Sequence, residues 1–89
     1  MRTPSYTKRF EKDLHRAKRR GKDTAKLKTI IGLILAEETL PPRLRDHALI
    51  GNYAGRRECH IEPDWLLIYK LDNDSVVFER TGTHADLFR

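Results

Sequence analysis

His60-Ile-Glu-Pro-Asp64-Trp65-Leu-Leu-Ile-Tyr-Lys70 reads as two strands joined by a tight Pro63-Asp64 turn. On the near side, Arg57 to Glu62 alternates Arg57/Cys59/Ile61 against Glu58/His60/Glu62, the period-two pattern of a half-buried strand with His60 on its polar side. On the far side, Trp65 to Leu71 is apolar on both faces and belongs in the middle of a sheet. Asp72-Asn73-Asp74 makes the next turn. Val76 to Thr81 makes the next strand, with Val76, Phe78 and Arg80 on one face. Consecutive strands joined by such short turns form an antiparallel meander. Gly82 breaks it, and His84 to Phe88 reads as a short terminal helix.

Upstream the period changes. Thr3 to Tyr6, interrupted by Pro4, reads as a short edge strand, where proline is tolerated. Thr7 to Arg20 reads as a helix. Its apolar stripe is Phe10, Leu14 and Ala17, its N-cap is Thr7, and basic residues crowd the end before Gly21. Asp23 or Thr24 caps a second helix running to about Glu38, in which Leu27, Ile30, Ile31, Ile34 and Leu35 recur at helical spacing. That periodicity is a core signal. Two helices joined by so few residues make an antiparallel hairpin lying on the sheet. Pro41 and Pro42 stop the second helix, and residues 41–56 form a long connection containing His47. The expected fold class is α+β, a two-helix hairpin on a small, mostly antiparallel sheet. At 89 residues the chain makes one domain.

Composition narrows the setting. A single cysteine, Cys59, excludes an internal disulfide and points to a reducing compartment, the cytoplasm. The N-terminus lacks the apolar core of a signal peptide, and no apolar run approaches the ~20 residues of a membrane helix. The net charge is +5 and unevenly spread: residues 1–30 hold eleven Lys/Arg against three Asp/Glu, residues 31–89 seven against ten. The basic half suits a phosphate-rich partner, although a basic helix face is as often merely solvated.

His47, His60 and His84 fall in or beside the meander together with Asp64 and Arg80. An unperturbed imidazole titrates near pH ~6.5, so one ring can accept a proton while another gives one. RNA transesterification needs a base for the 2′-OH, an acid for the departing 5′ oxygen, and a cation for the charge that grows on phosphate. Arg80 suits the last role by its guanidinium geometry. Trp65 and Phe88 could stack on bases, although a tryptophan opening a buried strand is more often core. Histidines in strands are usually structural, and their spacing here has no short regular pattern. A metal site of the three histidines and Asp64 would have irregular spacing and no second cysteine.

His60-Ile-Glu-Pro-Asp-Trp-Leu-Leu-Ile-Tyr-Lys followed by Phe78-Glu-Arg-Thr-Gly-Thr-His-Ala-Asp-Leu-Phe88 resembles the YafQ-type branch of the RelE toxin superfamily. Leu40-Pro, Asp46-His47-Ala-Leu-Ile-Gly51 and Lys26-Leu-Lys-Thr-Ile-Ile extend the likeness over nearly the whole chain. The resemblance implies a toxin of a type II toxin–antitoxin pair, an endoribonuclease cutting mRNA in the ribosomal A site without a metal or other cofactor. It implies functional residues at His47, His60, Asp64, Trp65, Arg80, His84 and Phe88. In that scheme His84 is the general acid, and His47, His60 and Asp64 share base and positioning roles. Arg80 steadies the phosphate, and Phe88 packs on the substrate. The implied partners are mRNA and ribosomal RNA, and a RelB/DinJ-like antitoxin whose complex with the toxin binds operator DNA. ParE-type relatives share the general fold and act on DNA gyrase instead. Three histidines argue against that reading, since a pure binder has no use for them.

Overall fold

The structure, a computed structural model, describes residues 1–88. In chain order it contains β1 (Thr3–Tyr6), α1 (Lys8–Arg19), α2 (Thr24–Leu35), β2 (His47–Ala48), β3 (Arg57–Glu62), β4 (Trp65–Asp72), β5 (Ser75–Gly82) and α3 (His84–Leu87). The strands form one sheet in the order β1-β5-β4-β3-β2. β1 runs parallel to β5, and the other pairs are antiparallel. β4 is the middle strand, with Trp65 to Tyr69 buried.

α1 begins at Thr7, whose hydroxyl accepts from Phe10 N, and ends with Gly21 at a left-handed φ of 81°. The Gly21 and Lys22 amides return to the Lys18 and Ala17 carbonyls, satisfying the last turn. α2 is capped by Asp23 and stops at Leu35, three residues short of the expected end. It closes in the same way, with Glu37 at φ 60° and the Glu37 and Glu38 amides bonded to Ile34 O and Leu33 O. A glutamate in the position that usually takes glycine gives no stop signal in sequence.

Phe10 and Ala17 of α1 and Leu27, Ile30 and Ile34 of α2 pack with Trp65, Leu67, Tyr69, Val76 and Phe78 on one sheet face. A second cluster of Leu66, Ile68 and Leu87 lies on the other face, flanked by Leu49 and Tyr53. The connection from 41 to 56 is more ordered than a free loop. Single 3₁₀ turns at Pro42–Leu44 and Gly51–Tyr53 flank β2, and Leu44 is buried. Among the described residues no helix is long and apolar enough to cross a membrane.

Two bulges correct the expected facing of residues. Tyr69 pairs with Phe78 but Ile68 pairs with Arg80, so Glu79 is an extra residue in β5. Phe78 therefore faces the helices and Arg80 the opposite side, although simple alternation puts them together. In β3 the register shifts between His60 and Glu62. Glu62 consequently faces the helix side, where it binds Lys22 and Lys26 at 3.1 and 2.9 Å, rather than lying with His60.

The α1 stripe also differs from expectation: Phe10, Asp13 and Ala17 are buried, and Leu14 only half so. Asp13 accepts from Arg80 Nε at 2.7 Å, Arg80 Nη2 at 3.2 Å and Thr81 N at 3.2 Å. Deleting one partner of a buried ion pair strands the other charge, at a cost of about 3–5 kcal/mol. Asp13→Ala should therefore lower the unfolding free energy by about 3 kcal/mol in urea denaturation. A loss under about 1 kcal/mol would mean that Arg80 and the Thr81 amide find other partners without cost.

Candidate active site

The sheet face turned away from α1 and α2 collects the polar residues of the meander. Cross-strand pairing sets His47 opposite Glu58, Glu58 opposite Ile68 and His60 opposite Leu66. Asp64 stands in the β3–β4 turn, and His84 opens α3 just past the end of β5. β2, β3 and α3 thus deliver a row of rings. The centroid spacing is 6.3 Å from His47 to His60, 5.8 Å from His60 to His84, and 6.4 Å from His84 to Phe88. Tyr53 closes the row, edge-on to Phe88 at 5.5 Å. An open cleft of about 520 Å³ runs beside it, lined in part by His60, His84 and Pro63.

Each outer imidazole lies beside a carboxylate, and that of His84 is hydrogen-bonded to it. His84 Nδ1 donates to Asp64 Oδ1 at 2.6 Å, and the same oxygen accepts the His84 backbone N–H at 2.9 Å. That assigns the Nδ1 proton and leaves Nε2 as the ring's other nitrogen for chemistry. The backbone bond first, and the ring bond second, hold the Asp64 carboxyl below the usual range. Both side chains are exposed, so the pair contributes orientation more than stability. His47 Nδ1 donates to the Arg45 carbonyl at 2.6 Å, while Nε2 lies 3.2 Å from Glu58 Oε2. Glu58 is buried, and its Oε1 has no hydrogen-bond partner; neither does His60 Nδ1. Sequence reading placed Glu58 only as one polar position of a strand. Its signal is that it shares the alternation with His60 and pairs with His47.

α3 is four residues long and depends on its surroundings. Thr83 and Asp86 form a capping box, Arg20 Nη1 binds Asp86 Oδ2 at 2.8 Å, and Tyr53 donates to Leu87 O at 3.2 Å. Arg20 is the main reason that the Asp86 carboxyl lies well below the usual range. A Cβ on Gly82 would sit 2.9 Å from the Asp86 side chain, so glycine gives the helix room to dock. The Thr83-x-x-Asp86 spacing is legible in sequence as a cap.

His47, His60, Asp64, His84 and Phe88 come together at one surface. Arg80 faces the same side, but two of its nitrogens are committed to Asp13, whose hydrogen bond raises its pKa. Trp65 is the correction: it is 1% exposed on the helix face and donates from Nε1 to Thr81 Oγ1 at 2.9 Å. It is core, and no base can stack on it as it stands. Cys59 is fully buried and its thiol is pushed up to about 12, chiefly by desolvation, which makes it inert. No group of three or more His, Cys, Asp or Glu among the described residues is arranged to hold a metal ion. With several imidazoles at one surface, His84 oriented by the Asp64 carboxylate and His47 by the Arg45 carbonyl, the face can take one proton and give another within one substrate's reach.

Comparison with known proteins gives the chain's family and fold. The family described as the bacterial toxin of type II toxin–antitoxin systems, YafQ, matches residues 2–89. The mRNA interferase toxin YafQ of Escherichia coli K12 is 46% identical over 84 residues, 93% of this chain and 91% of the relative. The crystal structure of YafQ from E. coli BL21(DE3) superposes with a TM-score of 0.95 at 43% identity, covering 100% of both chains. YafQ in the E. coli DinJ–YafQ complex gives 0.93 at 44% identity, again over 100% of both. The chain belongs to the YafQ family of bacterial toxins of type II toxin–antitoxin systems.

Proposed function

We propose that this chain is an mRNA interferase, an endoribonuclease that cuts mRNA in the ribosomal A site and so halts translation. The observation that carries the reading is the row of three imidazoles, with His84 bonded twice to Asp64. A base at His47 or His60 takes the proton of the 2′-OH as that oxygen bonds to phosphorus. The bond from phosphorus to the 5′ oxygen breaks, and His84 protonates the departing oxygen. The products are a 2′,3′-cyclic phosphate and a free 5′-OH. Asp64 positions the acid, Arg80 lends positive charge behind the phosphate, and Phe88 packs on a base.

The chain's excess of positive charge in residues 1–30 suits ribosomal RNA and, in its absence, an acidic antitoxin. By analogy with the complex of YafQ and DinJ, that antitoxin is DinJ-like. Operator DNA is the further partner that we propose for the pair. All of this chemistry belongs in the cytoplasm.

Mapping of 5′ ends on an mRNA in a purified translation system tests the nuclease directly. Wild type should cut inside A-site codons, and folded His84→Ala should be about 10²–10⁴-fold slower. Undiminished cutting by the variant would remove His84 from the acid role. No cutting by either protein, with gyrase inhibited instead, would overturn the whole reading.

The Asp64–His84 contact makes a second prediction. Asp64 has a depressed pKa in the folded state, so its contribution is present above the unfolded value of about 3.9 and is lost as pH falls through the lower folded value. The melting-temperature advantage of wild type over Asp64→Asn, small because solvent screens this exposed pair, should hold from pH 7 to pH 5 and shrink below about pH 4. An advantage that persists undiminished through pH 2 would show that the carboxylate charge is not what counts.

A further inference from the structure

Arginines elsewhere in the structure are mostly spoken for. Arg16 and Arg20 bind Asp13 and Asp86, Arg56 binds Glu79, Arg57 binds Asp46, Arg80 binds Asp13, and Arg2 holds the Ile34 carbonyl. Arg9, Arg19, Arg43 and Arg45 have no such partner among the described residues, and of these Arg43 and Arg45 lie beside the histidines. Both are exposed, and neither has a hydrogen bond or ion pair from its side chain among the described residues. Both line the cleft of about 520 Å³ that also contains His60 and His84. The one carboxylate on its wall, Glu62, is already neutralised by Lys22 and Lys26. The cleft therefore carries two unpaired guanidiniums beside two imidazoles and no free negative charge.

The backbone holds these residues in place. Arg43 sits in the 3₁₀ turn that buried Leu44 anchors between them. Arg45 caps that turn at φ 50°, a left-handed conformation that disfavours L side chains. Its carbonyl accepts the His47 Nδ1 proton, so the turn that orients His47 also sets the start of the Arg45 side chain. Arg80, by contrast, has two of its nitrogens on Asp13.

We propose that Arg43 and Arg45 form a backbone-phosphate subsite, gripping an RNA phosphate next to the scissile one and so setting the strand across His60 and His84. The subsite rests on the nuclease reading above and names how that substrate is held. Paired guanidiniums suit phosphate by their fork geometry. Phosphate contacts fix register without reading sequence, so the pair governs affinity and placement for every codon alike.

Two measurements test this on the full-length protein. Inorganic phosphate, titrated at constant ionic strength against chloride, should shift the ring-proton resonances of His60 and His84 in wild type. The shifts should vanish in Arg43→Ala/Arg45→Ala and partly return in Arg43→Lys/Arg45→Lys. Equal shifts in wild type and the alanine variant, or none in wild type, would overturn the subsite. In the translation system, the alanine variant should lose about tenfold in kcat/KM, mostly through KM. Its dependence of log(kcat/KM) on log[salt] should flatten by about 0.7, one phosphate contact's worth on a single strand. An unchanged KM and salt slope would likewise reject the subsite. If wild type itself cut no mRNA, the nuclease reading would fall while the phosphate titration still judged the cleft.

Discussion

The free edge of β5 is the constraint on which the rest of the structure depends. β1 covers that edge only as far as the pair Tyr6–Phe78. Beyond it, α1 takes over: Thr7 N binds Phe78 O, the Thr7 hydroxyl binds Glu79 O, and Asp13 accepts the Thr81 amide. A helix thus finishes the hydrogen bonding of an unfinished sheet edge, which would otherwise leave buried backbone groups unpaired. The same contacts hold the Glu79 bulge, and the bulge delivers Arg80 to the face opposite Phe78. Asp13, on a helix of the core, in this way fixes a residue of the site.

From that edge the order passes outward to the reactive groups. Thr81 accepts from the Trp65 indole and donates to Leu66 O, tying the ends of β4 and β5 together inside the core. Gly82 and the Thr83–Asp86 cap then launch α3, and Arg20 reaches from α1 to hold Asp86. His84 emerges where Asp64, in a turn twenty residues earlier, can take both of its N–H groups. The two carboxylates beside imidazoles stand in different surroundings. Asp64 is exposed, and water screens its charge. Glu58 is buried with one oxygen unpartnered, so His47 rests against an incompletely satisfied acceptor. A site built with such an unsatisfied group gives up some stability for position.

Much of this was legible beforehand. Strict alternation marked β3, the doubly apolar run marked β4 as central, and the helical spacing of Leu27, Ile30 and Ile34 marked the face of α2 that enters the core. The motifs around His47, His60 and His84 contain five residues that do meet at one surface. The misreadings have physical causes. Leu14 looked like core because hydrophobicity was the only guide, while Asp13 is buried by virtue of partners sixty-seven and sixty-eight residues away. Glu62 and Arg80 were set on the wrong faces because a bulge inverts alternation without a sequence mark such as glycine. Trp65 was assigned to substrate binding as well as to the core, and burial on the helix face removes the first role.

By itself, the sequence determined the main periodicities, the helix N-caps and the tight turns of the meander, since each depends on neighbours within a few residues, and so determined the α+β class and the order of the longer elements, but not β2 or the left-handed Glu37 that closes α2. It also determined the supply of chemistry: which stretches carry imidazoles, carboxylates and guanidiniums. Only the tertiary structure decided which of these are free to act. Arg80 is tied to Asp13, Glu62 to two lysines and Arg57 to Asp46, whereas Arg43 and Arg45 remain unpaired beside the histidine row among the described residues. Whether a charge is spent or available depends on which distant residue the fold brings within about 3 Å of it, and hydrogen bonding at that range is invisible to local pattern.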